Sequence, residues 1–275
     1  MTTNSTARTI IAALGVALSA QGCGGGTSAG TGAAPLVPAA PGGPATASGQ
    51  RSAAATAATA PSQHDPVILI PGMTSPADEM APMKQEFVNA GWSADRVFMW
   101  TDSTDMEGDL ATAARELQTE VATVMKSTNA RKVVLVTWSA AALAARYYIK
   151  NIDRRTVSIY VGMAGPEHGT TFNDCQAYVS CQEFMSPNTP FLTALNKGTE
   201  VPGSPAISYL TVRSDNDLNV APEDSAQLAG ATLNARLTGP TAPNHFEYPV
   251  DPQTFAVVQS FITEYERTGG ATRGR

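Results

Sequence analysis

The sequence predicts an α/β fold: a mostly parallel sheet of about six strands with helices on both faces. Short runs that are apolar at every position, such as Val67-Ile68-Leu69-Ile70 and Val133-Val134-Leu135-Val136, recur along the chain. Between them lie stretches whose apolar residues fall three and four apart, the spacing of one helical face. A strand without polar alternation is buried on both sides, and that happens when helices cover a parallel sheet from each face.

The elements follow in order. Val67–Ile70 reads as a buried strand stopped by Pro71-Gly72, and Ser75-Pro76 supplies a cap and a first-turn proline for a helix to Ala90, before Gly91. Val97–Trp100 is the next strand. Leu110, Ala113, Ala114, Leu117, Val121 and Val124 then share one helical face. The strand Val133–Val136 leads into a helix through Leu143 and Tyr147 towards Ile152. Val157–Met163 and Ile207–Val212 are further strands, separated by a short helix from Thr189-Pro190 to Asn196. Asp251-Pro252 opens a last helix carrying Phe255, Val258, Phe261, Ile262 and Tyr265. No fixed-period repeat runs through these elements.

The start of the chain reads as an export signal. Arg8 precedes an apolar stretch, Thr9 to Ala20, of about a dozen residues, too short to span a bilayer. Ser19-Ala20-Gln21-Gly22-Cys23 resembles a bacterial lipoprotein cleavage site, so residues 1–23 are expected to be a signal peptide with Cys23 acylated; ordinary cleavage nearby is the alternative. Residues 24–62 are almost wholly Gly, Ala, Pro, Ser and Thr and lack the large apolar side chains that offset ordering entropy. They are expected to form a disordered tether of about 40 residues spanning roughly 35 Å. Residues 63–275 make one domain. A net charge of −6 with 15% charged residues gives no basic patch for nucleic acid. A lipid at Cys23 is thus the only membrane attachment expected, and the protein reads as exported and monomeric. With Cys23 set apart, Cys175 and Cys181 remain, and in an oxidising compartment they are expected to pair; a zinc site is the rival, without an obvious further ligand pair.

Functional loops of a parallel sheet lie beyond the carboxyl ends of its strands. There Thr137-Trp138-Ser139-Ala140-Ala141 follows a strand and precedes a helix, which exposes a serine hydroxyl on a sharp turn. The usual pattern is G-x-S-x-G, and its glycines are Thr137 and Ala141 here; a plain helix cap is the competing use of Ser139. After the strand Ile207–Val212 comes Ser214-Asp215-Asn216-Asp217, and Asn244-His245-Phe246 precedes the last helix. Serine, acid and histidine therefore occur in the order of the α/β-hydrolase triad. Of the three histidines, only His245 comes late enough to be its base. Asp215 and Asp217 are both candidates for the acid, and a turn-stabilising carboxylate is the competing use of Asp217. Trp138 is either acyl-pocket wall or core. His168 is either at the mouth of the site or a loop fastener. Met73, Met80 and Met83 are either a substrate wall or buried under the first helix.

These segments resemble the small secreted bacterial lipases of class 2, of the lidless lipase A type, over most of residues 65–262. The resemblance is carried by Pro66 to Gly72, Gly91-Trp92-Ser93, Val136-Thr137-Trp138-Ser139, Tyr147-Tyr148-Ile149-Lys150-Asn151, Gly165-Pro166-Glu167-His168-Gly169-Thr170-Thr171, Ser214 to Asp217 and Asn244-His245-Phe246. It implies a minimal α/β-hydrolase with Ser139 as nucleophile, His245 as general base and Asp217 as orienting acid. It implies an oxyanion hole from the backbone amides of Met73 and Ala140. The implied reaction is carboxylic-ester hydrolysis through an acyl-enzyme, on acylglycerols or other apolar esters, with no cofactor and no metal. A polyester depolymerase or an acyltransferase on the same scaffold, or a lipid-tethered binding protein that has lost the chemistry, are the alternatives. The family's His-Gly after the first strand is Pro71-Gly72 here, and its H-S-M-G is Trp138-Ser139-Ala140-Ala141.

Overall fold

The computed structural model describes residues 64–172 and 174–271. The segments read as signal peptide and tether, with Cys23, lie outside the described residues.

Six strands form one sheet in the order β2-β1-β3-β4-β5-β6. They are β1 (Val67–Ile70), β2 (Val97–Met99), β3 (Val133–Trp138), β4 (Val157–Met163), β5 (Ser208–Ser214) and β6 (Leu233–Leu237). All five pairings are parallel. The five strands read from the sequence are present. The sixth, β6, was missed because it is an edge strand: Leu233 is exposed and only Leu237 is buried, so it lacks a continuous apolar run.

The helices α2 (Leu110–Thr128), α3 (Ala140–Asn151), α4 (Val179–Phe184) and α5 (Pro190–Asn196) share one core with the face of the sheet that presents Ile68, Ile70, Val133 and Leu135. Val67, Leu69, Val134 and Val136 point the other way, onto α1 (Ala81–Asn89) and α6 (Pro252–Ala271). This alternation along fully buried strands is what the apolar runs require. The expected first helix is divided: a 3₁₀ turn over Ala77–Met80 precedes α1, whose second residue is Pro82. The α3 sequence begins Ala-Ala-Ala-Leu-Ala-Ala, a run of strong helix formers whose small side chains, all buried, let the helix lie close on the sheet.

The chain passes from β1 outward to β2 and then returns past β1 to β3, after which every strand adds on the other side. The strand order therefore reverses between β1 and β3. In open α/β sheets, the crevice beyond the carboxyl ends of such a pair is where ligands bind.

Candidate active site

Ser139 stands at that switch point, as the residue joining β3 to α3. Its backbone is at φ 57° and ψ −131°, outside the basins that non-glycine residues occupy readily. Its amide donates to the Met163 carbonyl at 2.9 Å, which ties the turn to the end of β4. The residues standing in place of the usual glycines are accommodated. Thr137 continues β3 for longer than expected and donates its hydroxyl to the Val161 carbonyl at 2.8 Å, while Ala141 is fully buried in α3. The glycine that matters lies on the neighbouring strand's loop. A Cβ on Gly72 would fall 2.8 Å from Ser139 Cβ and 3.4 Å from its hydroxyl oxygen.

The His245 ring reaches Ser139 from the segment between β6 and α6, with Nε2 3.0 Å from Ser139 Oγ. On its other side Nδ1 lies 2.9 Å from Oδ2 of Asp217 and 3.1 Å from Oδ1. Asp217 sits three residues past β5, where its Oδ1 also accepts the amides of Asn219 at 2.9 Å and Val220 at 3.0 Å. Three donors thus converge on a carboxylate only 5% exposed, compensating its burial. Tyr248 is fully buried nearby. Burial first, and the Asp217 charge second, push its phenol above the ordinary range, although no partner meets hydrogen-bond geometry at its hydroxyl. Asp215, the other candidate acid, is turned away and pairs with Arg236 at 2.5 Å. Between them Asn216 donates to the Gly239 and Ala242 carbonyls at 3.2 and 2.7 Å, stitching the acid turn to the segment that carries His245.

Met73 follows β1 and Ala140 opens α3, so the two residues stand in the two connections that flank the switch point. Ala140 is the first residue of its helix and has no intrahelical carbonyl to bond. The amide of Met73 makes no backbone hydrogen bond among the described residues. The next amide along, Thr74 at φ 64°, donates to the Asp105 carbonyl at 2.8 Å and so fastens this loop.

Ser139 and His245 open onto a cleft of about 250 Å³. Met73, Trp138 and Phe246 line it, as do Phe172, Tyr178 and Phe184 from the segment after β4. The wall from this segment also includes Cys175, which is bonded to Cys181 in a disulfide. It is held to the rest of the domain where the Ser180 amide donates to Glu107 at 3.1 Å and Glu183 accepts the Leu110 amide at 2.9 Å. Burial pushes the Glu183 carboxyl up to about 7. These wall residues and helix α4 escaped sequence reasoning, because Val179–Phe184 is too short for a periodic signal.

The remaining candidates sort cleanly. Met80, from the 3₁₀ turn, and Met83, from α1, are buried in the core beneath the first helix, and of the three methionines Met73 alone lines the cleft. His168 is a loop fastener, bonded to Glu200 at 2.9 Å and to the Ser225 carbonyl at 3.3 Å, away from the cleft. Its neighbour Glu167 is fully buried against Arg146 at 2.6 Å and the Tyr160 hydroxyl at 2.6 Å, which anchors the loop after β4. Among the described residues no group of His, Cys, Asp and Glu is arranged to hold a metal, and no helix is long and apolar enough to cross a membrane.

Comparison with known proteins agrees with this architecture. Lipase B of Aspergillus fumigatus superposes with a TM-score of 0.59 at 19% identity, covering 71% of this chain and 51% of that one, so the chain spans about half of that lipase. Lipase BlEst2 of Bacillus licheniformis in its mature form gives 0.56 at 16% identity, covering 73% and 93%. A gene product of Listeria innocua gives 0.53 at 13%, covering 71% and 92%. At these identities the likeness is one of fold. Residues 64–231, well over half of the chain, match the family described as lipase (class 2). With a parallel six-stranded α/β-hydrolase sheet and that match together, the chain belongs to the class 2 lipase family of lipolytic hydrolases.

Proposed function

We propose that the protein is a serine carboxylic-ester hydrolase that acts through an acyl-enzyme on acylglycerols or other apolar esters. The observation that carries this reading is the unbroken series Ser139 Oγ, His245 and Asp217, with links of 3.0 and 2.9 Å at the mouth of an aromatic-lined cleft. His245 Nε2 takes the proton of Ser139 as Oγ forms a bond to the ester carbonyl carbon. Asp217 holds the ring with Nδ1 protonated and stabilises the imidazolium. The carbonyl oxygen becomes an oxyanion, which the amides of Met73 and Ala140 receive; each such donor is worth about 3 kcal/mol. The C–O bond to the alcohol breaks as His245 returns the proton to it. Water then repeats the sequence and releases the acid. Neither amide depends on its side chain, so Pro71 and Ala140 are compatible with the chemistry despite departing from the family pattern.

The test is hydrolysis by the purified domain of a soluble ester series, a triacylglycerol emulsion and a polyester film. Ester hydrolysis lost in Ser139→Ala and in His245→Ala supports the reading, and equal rates in wild type and Ser139→Ala remove it. Polymer turnover above that on soluble ester would make the natural substrate a polyester. The same reading takes the protein to be exported and held to a membrane by a lipid on Cys23. Detergent partitioning of wild type against Cys23→Ser decides that, and equal partitioning removes the lipid.

A further inference from the structure

Trp138 is absent from the relay described above, yet it holds two parts of it. It is the last residue of β3 and is bonded covalently to Ser139. Its indole Nε1 donates to the backbone carbonyl of His245 at 2.9 Å, across 107 residues of sequence. The bond is buried, with Trp138 4% and His245 6% exposed. The indole also packs against the imidazole at a centroid separation of 5.7 Å and edge-on to Phe246 at 6.4 Å.

The importance of this bond follows from how His245 is otherwise held. Residues 238–251 contain no helix or strand. Their other hydrogen bonds are local, as between Asn244 and Glu247, run to the acid turn through Asn216 and from the imidazole to Asp217, or join Thr241 to Gln253 of α6. Among the described residues, the hydrogen bonds that link residues 243–246 to β3 or Ser139 are those from Trp138 and between Ser139 and His245. Asp217 thus holds the ring from its far side, while the backbone that carries the ring is tied to β3 by the indole hydrogen bond of Trp138, the residue covalently next to Ser139. Without the indole N–H, the His245 carbonyl is left buried without its donor, a costly state that favours movement of the segment towards water.

We infer that Trp138 is a positioning residue for His245: its indole N–H, rather than its bulk, keeps the imidazole within hydrogen-bond reach of Ser139. This rests on the proposed roles of Ser139 and His245.

The experiment uses Trp138→Phe, which keeps an aromatic ring and removes the donor, and Trp138→His, which restores a ring N–H. The readouts are kcat and KM on a soluble ester, the rate of fluorophosphonate labelling, and the same labelling in a His245→Ala background. Misplacing a reacting group by about 1 Å costs on the order of a hundredfold. We expect Trp138→Phe to lose at least tenfold in kcat and labelling rate, with KM within about twofold. Trp138→His should recover part of the loss. In His245→Ala, already slow, adding Trp138→Phe should cost nothing further, since a residue acting through His245 has nothing left to position. Labelling reports only folded protein, so a less stable variant still gives an answer. Unchanged kcat in Trp138→Phe, a loss confined to KM, or an equal further loss in the His245→Ala background would each overturn the inference. Wild type that neither labels nor hydrolyses ester overturns the underlying roles instead.

Discussion

Gly72→Ala is the substitution whose consequence follows most directly from packing. Carbon atoms in contact sit about 3.5–4.0 Å apart. The new methyl would lie 2.8 Å from Ser139 Cβ, so about 0.7–1.2 Å of movement is required. Neither side yields easily. Ser139 is fixed at φ 57° with its amide bonded to Met163, and the loop after Gly72 is fastened by the Thr74–Asp105 bond. If Ser139 absorbs half of the shift along the line to His245, their 3.0 Å separation grows to about 3.5 Å, beyond the range of an effective hydrogen bond. We predict a loss of about tenfold to a hundredfold in kcat, with little change in KM. Overpacking should also destabilise by about 1–3 kcal/mol, and for a domain of this size each kcal/mol lowers Tm by about 2–4 °C. Steady-state kinetics on a soluble ester and a melting curve measure both. Wild-type kcat and Tm in Gly72→Ala would mean that the turn has slack, and that the close approach of the two loops does not set the nucleophile's position.

Three further outcomes follow from the same coordinates. Asp217→Asn should lower kcat by about 10³–10⁴-fold through the wrong imidazole tautomer, whereas Asp215→Asn, breaking a half-exposed pair with Arg236, should leave kcat unchanged and cost less than about 1 kcal/mol; reversal of the two in a kinetic assay would reassign the acid. Replacing Cys175 and Cys181 by serine opens a short loop and should destabilise by about 2 kcal/mol in chemical denaturation, and it should raise KM because Cys175 and Tyr178 line the cleft; an unchanged KM would detach this wall from substrate binding. Glu183 has a folded pKa of about 7 against 4.5 for the free side chain, so the folded state binds its proton more tightly and stability falls as pH rises between those values. Discounted for partial exposure, that slope is worth about 1–2 kcal/mol; denaturation at about pH 5 and pH 8 should show it in wild type and not in Glu183→Gln, and equal slopes would rule it out.

What was legible in the sequence followed from burial. β1, β3 and β4 are apolar along nearly their whole length because helices cover both faces, and that pattern survives in one dimension. β6 is open on one edge and α4 is a turn and a half held by a disulfide, so neither leaves a periodic trace. The chain order of Ser139, Asp217 and His245 was readable because each follows a strand at the same rim of the sheet. The choice between Asp215 and Asp217 was not, since it turns on which side chain meets Arg236 and which meets His245. Nor could the sequence show that Trp138 bonds the backbone of His245, or that Gly72 faces Ser139. Those contacts join distant segments, and nothing in local residue patterning encodes them.

The proposed chemistry requires an activated hydroxyl on Ser139. Treating the purified protein with a fluorophosphonate and mapping the modified peptide by mass spectrometry tests it most directly. We expect one phosphonyl group, on Ser139, absent in Ser139→Ala and far slower to form in His245→Ala. Undiminished labelling in Ser139→Ala, or an adduct mapped to another residue, would contradict it.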